Sequence, residues 1–267
     1  MSQMDLKSSL LLKHSSQLDA AEAQIGLVAL SGLYQELVGE HPSVLSDIES
    51  ATQKLVATLV KASNANGGRS LRILLNDESA LYFGALKGGE IEPAEANPAM
   101  GLRGVSRFAS EVGKPGFIFE CQVLKRAMEK EGIAVEIVVP FIRTSSEAAT
   151  MIDLLAEQGL CRGAKGLKVS LACQVPSNAL LAETLLAYFD GVVVDVDCLA
   201  SFTLGVDYRC SALPYSFSKH NEAVRGLILD TIKKTQSAEK PVLVLLNEED
   251  KKVIELVEGA GVELIFK

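Results

Sequence analysis

The sequence predicts an α/β fold, a single-domain (β/α)8 barrel of the TIM type covering residues 1–267. Eight short apolar runs predict it, at 10–14, 71–75, 102–104, 135–140, 167–172, 192–196, 242–246 and 262–266. Most are continuous rather than alternating, as expected of a parallel strand buried on both faces. Amphipathic stretches separate them, and eight alternating units of this kind imply a closed parallel sheet. A length of 267 residues suits such a barrel and can bury a full core without disulfides or metals.

In chain order, the first run ends at His14. Residues 18–66 then read as an extended helical first connection, broken around Gly39-Glu40-His41-Pro42. The tract Asn64-Ala65-Asn66-Gly67-Gly68 is a loop by composition. A second long connection runs from Gly88-Gly89 to Asn97-Pro98. Helices are expected over 117–130, 146–158, 177–188, 221–234 and 249–258, with Ser145-Ser146 and Pro176-Ser177 as start signals. Cys121 and Cys161, in or beside helical segments, read as small hydrophobes.

Composition narrows the function. With 26 Lys+Arg against 34 Asp+Glu the net charge is −8, and no basic cluster suggests a nucleic acid or anionic membrane as partner. No apolar run reaches the ~18 residues of a membrane span. The start, Met-Ser-Gln-Met-Asp-Leu, lacks the basic and apolar regions of a secretory signal. Five cysteines without a CxxC pair indicate neither a disulfide framework nor a zinc knuckle. The expected location is cytoplasmic. Barrel chemistry sits where strands run into βα loops, which directs attention to His14, Asn76-Asp77, Arg103, 140–143, Cys173-Gln174, 195–198 and 245–247.

Several of these segments carry a resemblance. They are Asn97-Pro98-Ala99-Met100-Gly101-Leu102-Arg103-Gly104-Val105-Ser106-Arg107-Phe108, Val139-Pro140-Phe141-Ile142-Arg143-Thr144, and Val175-Pro176-Ser177-Asn178-Ala179-Leu180-Leu181-Ala182-Glu183. Phe189-Asp190-Gly191, Thr203-Leu204-Gly205-Val206-Asp207 and, more weakly, Val38-Gly39-Glu40-His41-Pro42 continue the series. In order and spacing they resemble the C-terminal phosphoenolpyruvate (PEP)-binding barrel of the PEP-utilising enzymes, above all the PEP synthases (pyruvate, water dikinases). The resemblance implies arginines for the phosphate and carboxylate of PEP, and a Glu and an Asp holding Mg²⁺. It also implies a Cys handling the methylene proton.

Position by position, the chain departs from that pattern. Ala29 and Leu74 stand where the family has arginines; Arg103 is retained; Tyr208 replaces a further arginine, with Arg209 beside it. Gln174 and Cys198 stand at the metal-ligand positions, and Leu245 at the catalytic cysteine. Losing three arginine anchors forfeits roughly 4.5–9 kcal/mol at about 1.5–3 kcal/mol per charged hydrogen bond. A neutral amide and a thiol do not replace the hard oxygen ligands that Mg²⁺ requires.

The resemblance therefore implies a degenerate, non-catalytic homologue that needs no cofactor. Its role would be regulatory or scaffolding, as a homodimer or with a protein partner. Cations and anions lost together would leave a mouth close to neutral and poor in charge. Two alternatives stay open. One is a sensor of PEP, pyruvate or another small carboxylic acid acting through Arg103, which is otherwise a structural brace like Arg107 and Arg143. The other is a residual phosphotransferase or lyase using a rearranged metal set of Gln174, Asp195, Asp197 and Cys198. His14 either faces the site or is structural, and His41 reads as part of a turn.

Overall fold

In the computed structural model, residues 8–20, 24–210, 212–213 and 215–267 are described. The first six residues, read above for a targeting signal, lie outside them. Eight parallel strands close into a barrel in sequence order: β1 (Ser8–Leu12), β2 (Ile25–Ala29), β3 (Leu71–Leu74), β4 (Val135–Val139), β5 (Lys168–Cys173), β6 (Val192–Asp195), β7 (Val242–Leu246) and β8 (Glu263–Phe266). β8 pairs back onto β1. Among the described residues no helix is long and apolar enough to cross a membrane.

Four expectations are corrected. The run 102–104 is not a strand but part of the long β3–β4 connection. Gly104 adopts φ 58°, and a Cβ there would lie 2.6 Å from the Phe141 Cβ and 2.7 Å from the Pro140 carbonyl oxygen. The segment is therefore pressed against the end of β4 in a backbone suited to glycine. The strand needed in its place is β2, inside the stretch 18–66 that was read as helical. Ile-Gly-Leu-Val-Ala is fully buried. Its glycine gives little strand signal, yet only a glycine fits, because a Cβ on Gly26 would lie 2.0 Å from Ser9 Oγ. The helical excursion follows β2, through Leu30–Leu37 and Ile48–Ala65. The expected helix 177–188 is split into Pro176–Leu180 and Ala182–Leu185. Cys121 is buried as expected, but Cys161 is exposed.

Side chains alternating along the strands separate two cores. Leu27, Ala29, Leu74, Val138, Leu243, Leu245 and Ile265 belong to a small cluster inside the barrel. The larger core lies between the strands and the surrounding helices, such as Ile48–Ala65 and Lys114–Glu131. Ala29 and Leu74 are paired neighbours at the ends of β2 and β3, and Leu245 pairs with Asp195 across β7 and β6.

One buried ionic knot ties the long connections together. His41 Nε2 donates to Glu92 Oε1 at 2.8 Å, while His41 Nδ1 accepts from the Ser43 amide. Arg107 pairs with both oxygens of Glu92 and lies 3.6 Å from the Phe83 ring centroid. Burial alone would raise the Glu92 pKa, but Arg107 and His41 outweigh it and hold the carboxyl below its ordinary range. Arg107 thus has the bracing role expected of it, and His41, read only as part of a turn, joins it. Arg143 braces similarly, pairing with Glu147 at 3.3 Å. Removing Glu92 would strand a buried guanidinium. Glu92→Ala is expected to cost about 3–5 kcal/mol in equilibrium urea unfolding; a loss below about 1 kcal/mol, the level of an exposed pair, would show that the knot does not hold the loops.

Candidate functional site

The C-terminal ends of the strands open onto a cavity of about 430 Å³. Ala29, Leu74 and Leu245 contribute apolar floor, and Leu11 joins them. Two of the expected arginine positions, Ala29 and Leu74, and the expected cysteine position, Leu245, are thus occupied by side chains of the inner core, which supply shape and no charge.

Arg103 lines the same cavity but is 5% exposed. Its Nε and Nη2 donate to the Asp77 carbonyl at 2.9 and 2.7 Å, and Nη1 donates to the Ala99 carbonyl at 3.2 Å. The guanidinium carbon sits 3.9 Å from the Phe141 ring centroid. Three of five N–H groups are thereby used, leaving two for a ligand. These bracing contacts also fix the orientation of the fork.

Gln174 is fully buried and committed at both ends. Its Oε1 accepts from the Phe141 amide at 3.2 Å, and its Nε2 donates to Asp77 Oδ2 at 2.8 Å. Phe141 takes φ 49°, unusual for a bulky residue. The Gln174 bond and the Arg103 contact hold it there. Asp77 thus joins β3, β5 and the Arg103 loop.

At the end of β6 the chain bears two acids. Asp195 caps the helix Val196–Leu204, accepting from the Cys198 amide at 3.4 Å. Lys267 Nζ, next after β8, donates to Asp195 Oδ1 at 2.9 Å and Asp197 Oδ2 at 2.7 Å. Lys219 pairs with Asp197 at 2.5 Å and Asp250 at 2.7 Å. Burial alone would raise Asp195, but the Lys267 ammonium outweighs it and keeps the carboxyl ionised. Cys198 is buried, and burial together with the charges of Asp195 and Asp77 pushes its thiol well above the ordinary range. Protonated in this way, it is neither a ready nucleophile nor a ready metal ligand.

This donor set does not fit Mg²⁺. The Gln174 oxygen is taken by a backbone amide, Asp195 and Asp197 are already neutralised by ammonium groups, and Cys198 keeps its proton. The rearranged set Gln174, Asp195, Asp197 and Cys198 does not converge either. Among the described residues no group of three or more His, Cys, Asp and Glu side chains is placed to share a cation.

The expected charge-poor mouth is also corrected. Lys13, Arg103, Arg209 and Lys267 border the cavity, opposed by Asp77, Glu78, Asp195 and Asp207. Charges are balanced rather than missing. Glu78 is raised by burial and then by the adjacent Asp77. His14 lines the rim, where its Nδ1 lies 3.8 Å from Glu36. Tyr208 is half-exposed beside Phe217, with Lys267 Nζ 5.9 Å from its ring. Lys13, Glu78 and Lys267 escaped the sequence reading. The rule that selected His14 would have found Lys13 one residue earlier and Lys267 directly after the last strand.

A model of the PEP-binding domain of PEP-utilising enzymes matches residues 16–265. The chain belongs to that family. It is 34% identical over 240 residues to the phosphoenolpyruvate synthase of Pseudomonas aeruginosa, covering 81% of this chain and 30% of that protein. It is 31% identical over 242 residues to that of Escherichia coli, covering 82% of this chain and 31% of that protein. The chain therefore spans about a third of the length of these relatives. Among solved structures, an HpcH/Hpal aldolase/citrate lyase family protein from Burkholderia cenocepacia superposes with a TM-score of 0.55 at 12% identity, covering 98% of this chain and 87% of that one. That likeness establishes the barrel fold alone.

Below the mouth, Glu120 on the helix Lys114–Glu131 accepts from the Asn76 amide at 3.1 Å, at the end of β3. Burial pushes its carboxyl up to about 8. The folded state then holds a proton that the unfolded chain releases near 4.5, so this group favours folding below that pH and its contribution declines as pH rises toward 8. Glu120→Gln is expected to remove a slope of about 1.4 kcal/mol per pH unit from urea-unfolding stabilities measured between pH 5 and 8. An unchanged slope would mean that Glu120 is ionised in the fold.

Proposed function

We propose that this barrel is a non-catalytic, regulatory member of the family that binds a small carboxylic acid at its mouth. The observation that carries the reading is Arg103: buried, oriented by three backbone hydrogen bonds, and bordering an open cavity of about 430 Å³. A carboxylate matches the planar fork of a guanidinium. Retention of a built anion donor beside an open cavity favours a ligand-binding role over a purely scaffolding one.

The balance of charge around the mouth supports a modest ligand charge. PEP at full ionisation would meet Asp77, Glu78 and Asp195 as well as the cations. Pyruvate and other monocarboxylates would meet less repulsion. The absence of chemistry is supported by Gln174, Cys198 and Leu245 at the positions where the family resemblance puts a metal ligand, a second metal ligand and the catalytic cysteine. A homodimer and a cytoplasmic location remain part of the proposal.

Thermal-shift measurements against pyruvate, PEP and other oxo-acids test it. A ligand at 100 times its Kd is expected to add ~2.7 kcal/mol of stability. Arg103→Lys, which keeps the charge but loses the fork, is expected to weaken that ligand about tenfold, equivalent to ~1.4 kcal/mol. No PEP–pyruvate exchange or PEP hydrolysis is expected with Mg²⁺ or Mn²⁺. Stabilisation by none of these acids would remove the sensor, and turnover that disappears in Cys198→Ala would establish an enzyme.

A further inference from the structure

The acids at the end of β6 pose an electrostatic problem that the rest of the site does not. Asp195 is 6% and Asp197 3% exposed, two residues apart. Two buried carboxylates this close repel each other unless a cation lies between them. Lys267 supplies it, with its Nζ at 2.9 Å from one and 2.7 Å from the other. Asp197 also meets Lys219, which it shares with Asp250. Three carboxylates thus face two ammonium groups. Without Lys267 they would face one, an excess of two negative charges. That is the charge of a divalent ion, and Asp195 and Asp197, which already share one cation, are hard oxygen donors.

We propose that Lys267 is the resident cation of this mouth, a tethered ammonium supplying the positive charge that a divalent metal ion would otherwise bring. The inference deepens the reading of the mouth as a ligand site and rests on it for relevance. An ammonium has three N–H donors. Asp195 and Asp197 take two, and Lys267 borders the cavity. The remaining donor is therefore the mouth's fixed partner for a ligand oxygen, in a geometry that needs no metal supply. Its backbone follows directly on the last strand of the barrel, and its two carboxylate bonds position the ammonium.

The test needs no carboxylate ligand, so it can fail or succeed independently of the proposed function. Mn²⁺ is titrated against wild type and Lys267→Met, with free ion followed by electron paramagnetic resonance and stability by thermal shift. Wild type is expected to bind Mn²⁺ weakly and without thermal stabilisation. Lys267→Met is expected to bind one equivalent at least about tenfold more tightly and to be stabilised by it, and Asp195→Asn in that background to abolish the gain. Lys267→Gln, which keeps a donor between the acids, serves as a second variant under the same comparison. Variants that fold only with Mn²⁺ would support the proposal. Tight stoichiometric binding already in wild type would overturn it. So would variants that gain no affinity, or variants that fail to fold with or without the ion.

Discussion

Two buried carboxylates, and the ammonium that bridges them, are the constraint around which this barrel mouth is arranged. Asp195 and Asp197 sit where β6 turns into its helix, and Lys267 reaches them from the end of β8. Charge of one sign on β6 therefore requires charge of the other sign past β8. The bridge spans β7, whose contribution at this level is the apolar Leu245. Neither half is stable alone in a low-dielectric setting, because an unpaired buried charge costs several kcal/mol. The third hydrogen-bonding face of this mouth, the Arg103 loop, is organised the same way: a guanidinium fixed by carbonyl oxygens rather than left to find a ligand.

These two fixed cations explain how the barrel keeps an open polar mouth beside an apolar floor. Ala29, Leu74 and Leu245 continue the inner core upward, so the base of the cavity is packed rather than ionic. The charged groups are displaced to its walls and are largely satisfied there by other protein groups. Preorganisation of this kind lowers the cost of binding a small acid, and among the described residues no group of three or more His, Cys, Asp and Glu side chains is placed to share a metal. Family membership sets the fold and the position of the mouth; the particular side chains decide its chemistry.

Much of this was legible in the sequence, for physical reasons that can be named. Continuous valine- and leucine-rich runs such as Val135–Val139 and Val242–Leu246 are unmistakable because parallel strands are buried on both faces. Ile25–Ala29 was obscured by Gly26, whose value lies in the close approach of Ser9 and not in strand propensity. The run 102–104 misled because three residues carry no period, and its glycine belongs to a turn against Phe141. Gln174 and Cys198 were placed at the mouth by motif and strand end alike, and Arg103 by motif. Their partners were not legible: the bond from Gln174 to Asp77 spans 97 positions and that from Lys267 to Asp195 spans 72. The mouth consequently read as emptied of charge when its charges are balanced.

The most direct measurement is the protonation of the Lys267 amine, followed by nitrogen-detected NMR of the lysine side chains as pH is raised. Burial disfavours the ammonium, but Asp195 and Asp197 outweigh it and lift its pKa above the ordinary 10.5. A tethered cation is expected to keep its proton, with slow N–H exchange, at pH values where the exposed lysines titrate. A Lys267 amine that loses its proton together with those lysines, or before them, would contradict the bridge on which the mouth depends.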